Sequence, residues 1–407
     1  MEILIYHLAV LLTRRRFQRC TGSDAGECWL AHFVGAREPL APAVVEGMRI
    51  ETKEAFRSGE QAYSSDGEEF ANPQILVVGC GDAGCKMVTR LANLEVDGAE
   101  TLAVNTDRRM MERIRADRKM LIGRGFVEGD GAGGDPKIGR IAAGRSRRAL
   151  EDALGNRDLV FVAAGLGGGT GTGAAPVICE MAKGLGSTVV GIFTIPPGAD
   201  LRRGEGGDGE GGDGEGGDGG GGDGGVEPDR PIEIEELAKT ANTLILLDNS
   251  RILEMAPGLS ADQVFSVMDQ VVAEIIRGIV ETITETSLIN LDFADVKTIM
   301  SSGGLSAVLV GESDSKDEAG KIVFSALKFP MLDVDTKAAT GCLLHITGGS
   351  DLTLKKAATI AAALTGELDP EANVIWGARV KEGHEGKIGL LAIMTGVGFP
   401  QVVGGRS

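Results

Sequence analysis

Nine residues constrain this chain more than any others: Gly165-Leu166-Gly167-Gly168-Gly169-Thr170-Gly171-Thr172-Gly173. An apolar run at 159–164 leads in, and Ala174-Ala175-Pro176-Val177-Ile178 follows with a helical look. The order is therefore strand, glycine loop, helix. Such a loop leaves backbone N–H groups free at a helix N-terminus, and without Cβ atoms an anion can come close. Thr170 and Thr172 add hydroxyl donors. A tight turn or linker is the bland alternative, but it needs one or two glycines, and six of these nine residues are glycine. No Gly-Lys-Ser/Thr closes the loop, which sets it apart from the Walker type.

Two similar units precede it. Residues 74–78 form a buried-type strand, then come Gly79, Cys80, Gly81, Asp82, Ala83 and Gly84, then a helical segment near 87–91. Alone this is the GxGxxG dinucleotide pattern. A second strand, 101–104, ends in Asn105-Thr106-Asp107. These polar tips suit a ribose or the water shell of a magnesium ion, or simply a helix N-cap. A further loop, Gly131-Ala132-Gly133-Gly134-Asp135-Pro136, enters an Arg-rich helix near 137–154. Three glycine loops at the C-terminal ends of strands suggest one phosphate chain held from several sides. Alternating strands and helices predict an α/β fold, doubly wound around a mostly parallel sheet.

Composition narrows the partners. The chain has 407 residues and net charge −18. That length allows two full cores, and that charge argues against a nucleic-acid partner. Only 15 of the 41 basic residues are Lys, a balance that fits a high-salt cytoplasm. Cys20, Cys28, Cys80, Cys85, Cys179 and Cys342 show no zinc spacing and read as reduced, mostly buried thiols. His7, His32, His345 and His384 are scattered, and none reads as a metal ligand or catalytic base.

With these motifs in hand, the chain resembles FtsZ, the prokaryotic tubulin relative, in its archaeal, halophilic branch. The resemblance is carried by ILVVGCGDAG at 75–84, VNTD at 104–107, GAGGDP at 131–136 and AGLGGGTGTGAAPV at 164–177. It implies GTP as ligand and substrate. The implied contacts are Gly79, Gly81, Asp82, Ala83, Gly84, Asn105, Asp107, Gly131, Ala132, Gly133, Gly134 and the run from 167 to 173 (Gly167, Gly168, Gly169, Thr170, Gly171, Thr172, Gly173). Mg2+ is implied with the nucleotide, and K+ as a further cation. The family's Glu and Arg at the ribose edge have only stand-ins here, Asp200 and Arg203. An acidic near-repeat of GEGGDG follows; we read 204–230 as a disordered insert. A strand at 243–247 ends in Asp248-Asn249, and the resemblance gives Asn249 a hydrogen bond to guanine.

Residues 260–283 predict a long amphipathic helix, with Val264, Val267, Met268, Val271, Val272, Ile275, Ile276 and Ile279 on one face and Ser260 with Gln263 as a capping box. In the resemblance this is the central helix joining two domains. Phe265 stacks on guanine, and Asp269 accepts from its ring N–H and amino group, a donor pair that adenine lacks. The bland readings are core packing for Phe265 and a solvated face for Asp269. Asp292 and Asp295 stand three residues apart at a helix start, as an N-cap and first-turn acid would. The resemblance gives them a sharper role. They reach into the next subunit and activate the water that attacks the γ-phosphate, so the site is completed by head-to-tail stacking into a filament.

The C-terminal half predicts a smaller α+β domain with four strands near 307–311, 341–347, 373–377 and 388–394, and helices near 317–328 and 353–365. The expected organisation is an extension 1–73, a GTP-binding domain 74–256, the central helix and catalytic loop 257–295, the second domain 296–397 and a tail 398–407. Met48 is read as the natural start. The apolar run at 3–12 is too short to span a bilayer, which needs ~20 residues; no membrane insertion is expected. The implied protein is a cytoplasmic, filament-forming GTPase at the mid-cell division site, with itself, other FtsZ and division-ring proteins as partners. A rival from another class is a non-hydrolysing FtsZ paralogue that scaffolds another FtsZ. Asp82, which puts a carboxylate in a phosphate-facing loop, and the acidic insert feed that rival. A nicotinamide oxidoreductase rests on GxGxxG alone.

Overall fold

The computed structural model describes residues 73–127, 129–199, 201–202, 232–285, 287–289, 291–301, 303–327, 331–332 and 335–398. The N-terminal extension up to 72, the insert 204–230, Asp200, Arg203 and the tail from 399 lie outside them.

The nucleotide half begins with β1 (Ile75–Cys80), α1 (Gly81–Asn93), β2 (Ala99–Asn105), α2 (Arg108–Arg113), β3 (Arg118–Leu121), α3 (Pro136–Arg145) and α4 (Arg147–Leu154). Then come β4 (Leu159–Gly165), α5 (Gly169–Gly184), β5 (Thr188–Ile195), the two-residue strands β6 (Leu201–Arg202) and β7 (Ile232–Glu233), α6 (Ile234–Thr240), β8 (Thr243–Asp248) and α7 (Asn249–Met255). The C-terminal half holds α8 (Ala261–Thr284), α9 (Phe293–Ser301), β9 (Leu305–Asp314), α10 (Ala319–Leu327), β10 (Gly341–Gly348), α11 (Leu354–Thr365), β11 (Asn373–Val380) and β12 (Lys387–Thr395).

β1 and β5 are buried at every position. Strands covered on both faces need no polar alternation, which is why they read as continuous apolar runs. Alternate residues serve opposite layers: Ile75 and Val77 pack with α8, whereas Leu76 and Val78 pack with α5. The sheet order is β11-β10-β12-β9-β8-β5-β4-β1-β2-β3. From β3 to β9 every pairing is parallel; β9 with β12 and β12 with β10 are antiparallel. The four expected C-terminal strands are present. They extend the nucleotide sheet through β8 and β9, at Leu244 with Leu305 and Ile245 with Ser306.

α8 is the 24-residue helix that the periodicity predicts. Its capping box forms: Ser260 Oγ accepts from Gln263 N at 3.4 Å, and Gln263 Oε1 accepts from Ser260 N at 2.9 Å. Val264, Met268, Val272, Ile275, Ile276 and Ile279 are all but fully buried. Each contributes roughly 1.5–3 kcal/mol by leaving water. Their shared cluster includes Val77 and Phe161 on one side and Leu343 and Ile393 on the other, so one helix face joins both halves of the sheet.

Three local details differ from the sequence reading. The Arg-rich helix is two helices, α3 and α4, broken at Ser146, whose φ of −97° and ψ of 9° leave the α region. The sequence predicts a short strand at Leu121-Ile122; Leu121 instead ends β3, and Ile122 lies beyond it. α5 starts at Gly169, inside the glycine-threonine run, so half of the expected loop is helix. The reason is contact. A Cβ on Gly173 would fall 1.9 Å from the Pro136 carbonyl oxygen, and one on Gly139 would fall 2.3 Å from the Gly169 carbonyl oxygen. The glycines let α3 and α5 cross backbone to backbone, and the helix forms despite its low propensity.

Candidate functional site

In an open parallel sheet, ligands bind beyond the carboxyl ends of the strands, where the chain order reverses. Here the reversal lies between β1, which leads on to β2, and β4, which leads on to β5. A cavity of about 450 Å³ opens there. It is lined by the segments that follow β1, β2, β4, β5 and β8, by the loop before α3, and by the first turns of α8.

Most of the expected residues meet in it: Gly81, Asp82, Ala83, Asn105, Asp107, Gly131, Ala132, Gly133, Gly134, Gly168, Gly169, Thr170, Gly171, Asn249, Phe265 and Asp269. α5 begins within this wall, and its N-cap, Gly168, offers no side-chain hydrogen bond to the first turn. The free N–H groups and the positive end of the helix dipole therefore remain for an anion. Thr170 Oγ1 and Thr106 Oγ1 lie 2.7 Å apart, tying the second strand tip to the start of α5.

Five expected contacts do other work. A Cβ on Gly79 would fall 2.3 Å from the Gly84 carbonyl oxygen, and one on Gly84 would fall 2.2 Å from that of Ala163. Both positions, with Gly173, are close-packing sites outside the cavity lining. Thr172 Oγ1 accepts from the Gly167 N–H at 2.9 Å, so that hydroxyl and that amide serve each other. The spacing of a glycine motif does not separate glycines that face a ligand from those that face backbone.

Asp107 is the N-cap of α2, accepting from Arg109 N at 2.7 Å and Met110 N at 3.1 Å, while it also lines the cavity. Asn105 Nδ2 donates to Asp82 Oδ1 at 2.8 Å, and Asn105 Oδ1 accepts from Thr106 N at 2.7 Å. The unusual carboxylate of the first loop is thus held by an amide of the next strand tip. Lys86, one turn along α1 from Asp82, lines the same cavity and was not among the expected contacts; Thr106, one of the polar tips after the second strand, lines it too. The i, i+4 spacing of Asp82 and Lys86 was the signal for the first, and the place of Thr106 inside VNTD was the signal for the second.

The other end of the cavity suits a flat, polar-edged ring. Phe265 is 41% exposed and lines the wall, so it is no core residue. Asn249 is 2% exposed; its Nδ2 donates to the Ile195 carbonyl at 2.8 Å, while its Oδ1 is buried with no partner. An unmet buried acceptor is costly unless a ligand donor fills it. Asp269 is 6% exposed, so it is not the solvated helix face of the bland reading. Burial pushes its carboxyl up to about 6, against the pull of Arg90 and Lys86. The cavity therefore brings the free N–H groups of a helix start together with an exposed ring and two buried acceptors.

Asp292 and Asp295 do not line this cavity. They cap α9 reciprocally: Asp295 N donates to Asp292 Oδ1 at 2.7 Å, and Asp292 N donates to Asp295 Oδ2 at 3.3 Å. Asp292 is exposed and Asp295 half-buried. Cys80, Cys85, Cys179 and Cys342 are free and buried, as expected, and burial pushes the last three up to about 12. No group of three His, Cys, Asp or Glu side chains suits a metal ion among the described residues. Among them, too, no helix is long and apolar enough to cross a membrane.

Comparison with known proteins gives the same picture. Residues 74–204 match the Tubulin/FtsZ family, GTPase domain, and residues 304–398 match the FtsZ family, C-terminal domain. The chain is 44% identical to cell division protein FtsZ 2 of Haloferax volcanii over 359 residues, covering 87% of this chain and 83% of that protein. It is 45% identical to cell division protein FtsZ 2 of Methanocaldococcus jannaschii, covering 88% of each. Among solved structures, an empty FtsZ dimer from M. jannaschii superposes with a TM-score of 0.68 at 36% identity, covering 83% of this chain and 95% of that one.

Proposed function

Because the chain belongs to the FtsZ family of tubulin-like GTPases, we propose that it hydrolyses GTP at a site completed by a second copy of itself, and that the resulting filament acts in cell division. The observation that carries this is a division of labour. In this reading the cavity supplies donors for phosphates and acceptors for guanine; among the described residues the carboxylates of its wall are Asp82, Asp107, Asp130 and Asp269. The exposed Asp292 and half-buried Asp295 offer a carboxylate pair elsewhere on the surface. A head-to-tail neighbour brings such a pair to the open mouth of the cavity, a heterologous contact that propagates into a filament.

In this reading α5 and the glycine segments orient the triphosphate, Phe265 stacks on the base, and Asn249 and Asp269 read its edge. Asp292 and Asp295 of the adjoining copy hold and polarise the attacking water. Catalysis is chiefly positioning and electrostatic stabilisation. Mg2+ arrives with the nucleotide: it keeps several waters and needs only one or two carboxylates beside the phosphates. Asp107 and Asp130, two carboxylates on the cavity wall, would be its protein oxygen ligands. K+ supplies the bulk counter-ion. The functional segments we assign are 74–256 for GTP, 257–295 for the central helix and catalytic loop, and 296–397 as support and filament surface. The partners are further copies, other FtsZ and division-ring proteins, at mid-cell in the cytoplasm.

The relatives named for cell division and the dimer of the M. jannaschii protein support this reading. GTP turnover measured against protein concentration, in potassium-rich buffer with magnesium, tests it. Turnover per subunit rises cooperatively, and Asp295→Ala abolishes it while leaving GTP bound. Turnover strictly first-order in protein, down to monomeric concentrations, refutes the shared site.

A further inference from the structure

The catalytic loop has a mount. Glu281 is in the last turn of α8, and Glu285 caps that helix, its N–H donating to the Glu281 carbonyl at 3.0 Å. Arg379 of β11 forks between them: Nη1 donates to Glu281 Oε2 at 2.8 Å, and Nη2 pairs with Glu285. Its side chain is only 13% exposed. Arg277 pairs with Glu274 at 2.6 Å and flanks Glu281 at 3.8 Å, extending the network along α8.

The same strand then grips the segment beyond α8. Ile289 N donates to the Ala378 carbonyl at 3.0 Å, and Ala378 N donates back to that of Ile289 at 3.3 Å. A Cβ on Gly377 would fall 2.8 Å from Leu291 Cγ and 3.0 Å from the Ile289 carbonyl oxygen. Leu291, 5% exposed, is seated there, and Asp292 comes next. Three consecutive residues of β11 thus fix the helix end, the segment and the residue before the carboxylate pair. Only the contact to the helix end is made by a side chain.

We propose that Arg379 is a positioning residue for GTP hydrolysis: by clamping Glu281 and Glu285 it sets where Asp292 and Asp295 stand when they meet a neighbouring subunit. It lies outside the nucleotide cavity, so it does not act by touching the nucleotide. A planar guanidinium suits the task because its fixed fork holds two carboxylates at once, whereas an ammonium is a single point charge. The inference rests on the role of Asp292 and Asp295 proposed above.

The test compares the full chain with Arg379→Gln, Arg379→Lys, Glu285→Gln and Asp295→Ala. The readouts are GTP affinity, polymer yield by sedimentation, and turnover per polymerised subunit. Arg379→Gln lowers turnover about tenfold to a hundredfold, as a misplaced group does, while GTP affinity and polymer yield stay within about twofold. Arg379→Lys recovers part of the loss. Glu285→Gln, which cuts one arm of the fork and leaves Arg379 in place, lowers turnover with GTP affinity unchanged; it decides the matter if Arg379→Gln does not fold. Wild-type turnover in both Arg379→Gln and Glu285→Gln, with Asp295→Ala inactive, overturns the positioning role alone. GTP affinity, polymer yield and turnover falling together in both variants also overturn it, since that is loss of structure. Wild-type turnover in Asp295→Ala overturns the loop reading, and the proposal with it.

Discussion

Replacing Asp269 by Asn separates what the site costs the fold from what it does for the ligand. Burial raises the carboxyl from 3.8 to about 6 in the folded protein. The folded state therefore binds a proton more readily than the unfolded state between those values. Stability falls as pH rises through that window, and above it the ionised group costs the fold about 3 kcal/mol, at about 1.4 kcal/mol per pH unit. Asn has the same shape and no charge. In urea unfolding at pH 7.5 without nucleotide, Asp269→Asn is more stable than the wild type by up to about 3 kcal/mol, and the advantage shrinks as pH falls toward 4. For the ligand the change acts the other way. In the proposed pose guanine presents two donors to Asp269, and an amide can accept only one while its NH2 opposes the other. GTP affinity falls by about a hundredfold, whereas xanthosine triphosphate, with a carbonyl in place of the amino group, gains. A stability difference independent of pH refutes the raised carboxyl, and an unchanged preference for guanine refutes the placement of Asp269 against the base.

Three further expectations follow from named contacts. Asp82→Gly removes a negative charge from the phosphate end, so GTP binds more tightly by about tenfold at low salt and by less at high salt; unchanged affinity refutes repulsion by the Asp82 carboxylate. Gly173→Ala forces a methyl to within 1.9 Å of the Pro136 carbonyl, so thermal unfolding shows a loss of about 3 kcal/mol or more; a smaller loss means that the crossing of α3 and α5 can open. His345 is 7% exposed, with Nδ1 unpaired, and burial, aided by Arg379, holds its imidazole down to about 4. Its folded pKa lies below the unfolded one, so its contribution is complete above about 6.5 and is lost as pH falls to about 4, worth about 3 kcal/mol. His345→Gln removes that slope, which has the opposite sign to that of Asp269; an unaltered pH profile refutes its burial as neutral imidazole.

Much of this was legible in the sequence because it is written locally. The apolar runs of β1, β4 and β5 follow from burial on both faces. The 24 residues of α8 follow from periodicity and a capping box. Asn249, Phe265 and Asp269 were found through resemblance, and the unmet acceptor of Asn249 and the exposed ring of Phe265 give them a physical reason. Other features were hidden because the neighbours that decide them are far along the chain. Gly79, Gly84 and Gly173 look like their cavity-lining neighbours until the opposing carbonyls are in place. Thr172 looks like a ligand donor until Gly167 folds back on it. Nothing near Arg379 marks it, since its partners Glu281 and Glu285 lie almost a hundred residues earlier.

The sequence by itself determined that this chain builds strands ending in glycine-rich helix starts, and so that it offers backbone N–H groups to a phosphate; period and glycine content are local quantities, and they suffice. Only the tertiary structure decided which glycines face the ligand and which face backbone. It also decided that Asp269 is buried enough to resist ionisation, and that Asp292 and Asp295 stand away from the cavity on a mount clamped by Arg379. Burial, electrostatic field and close approach are set by atoms brought together from distant parts of the chain, and no short stretch of residues contains them.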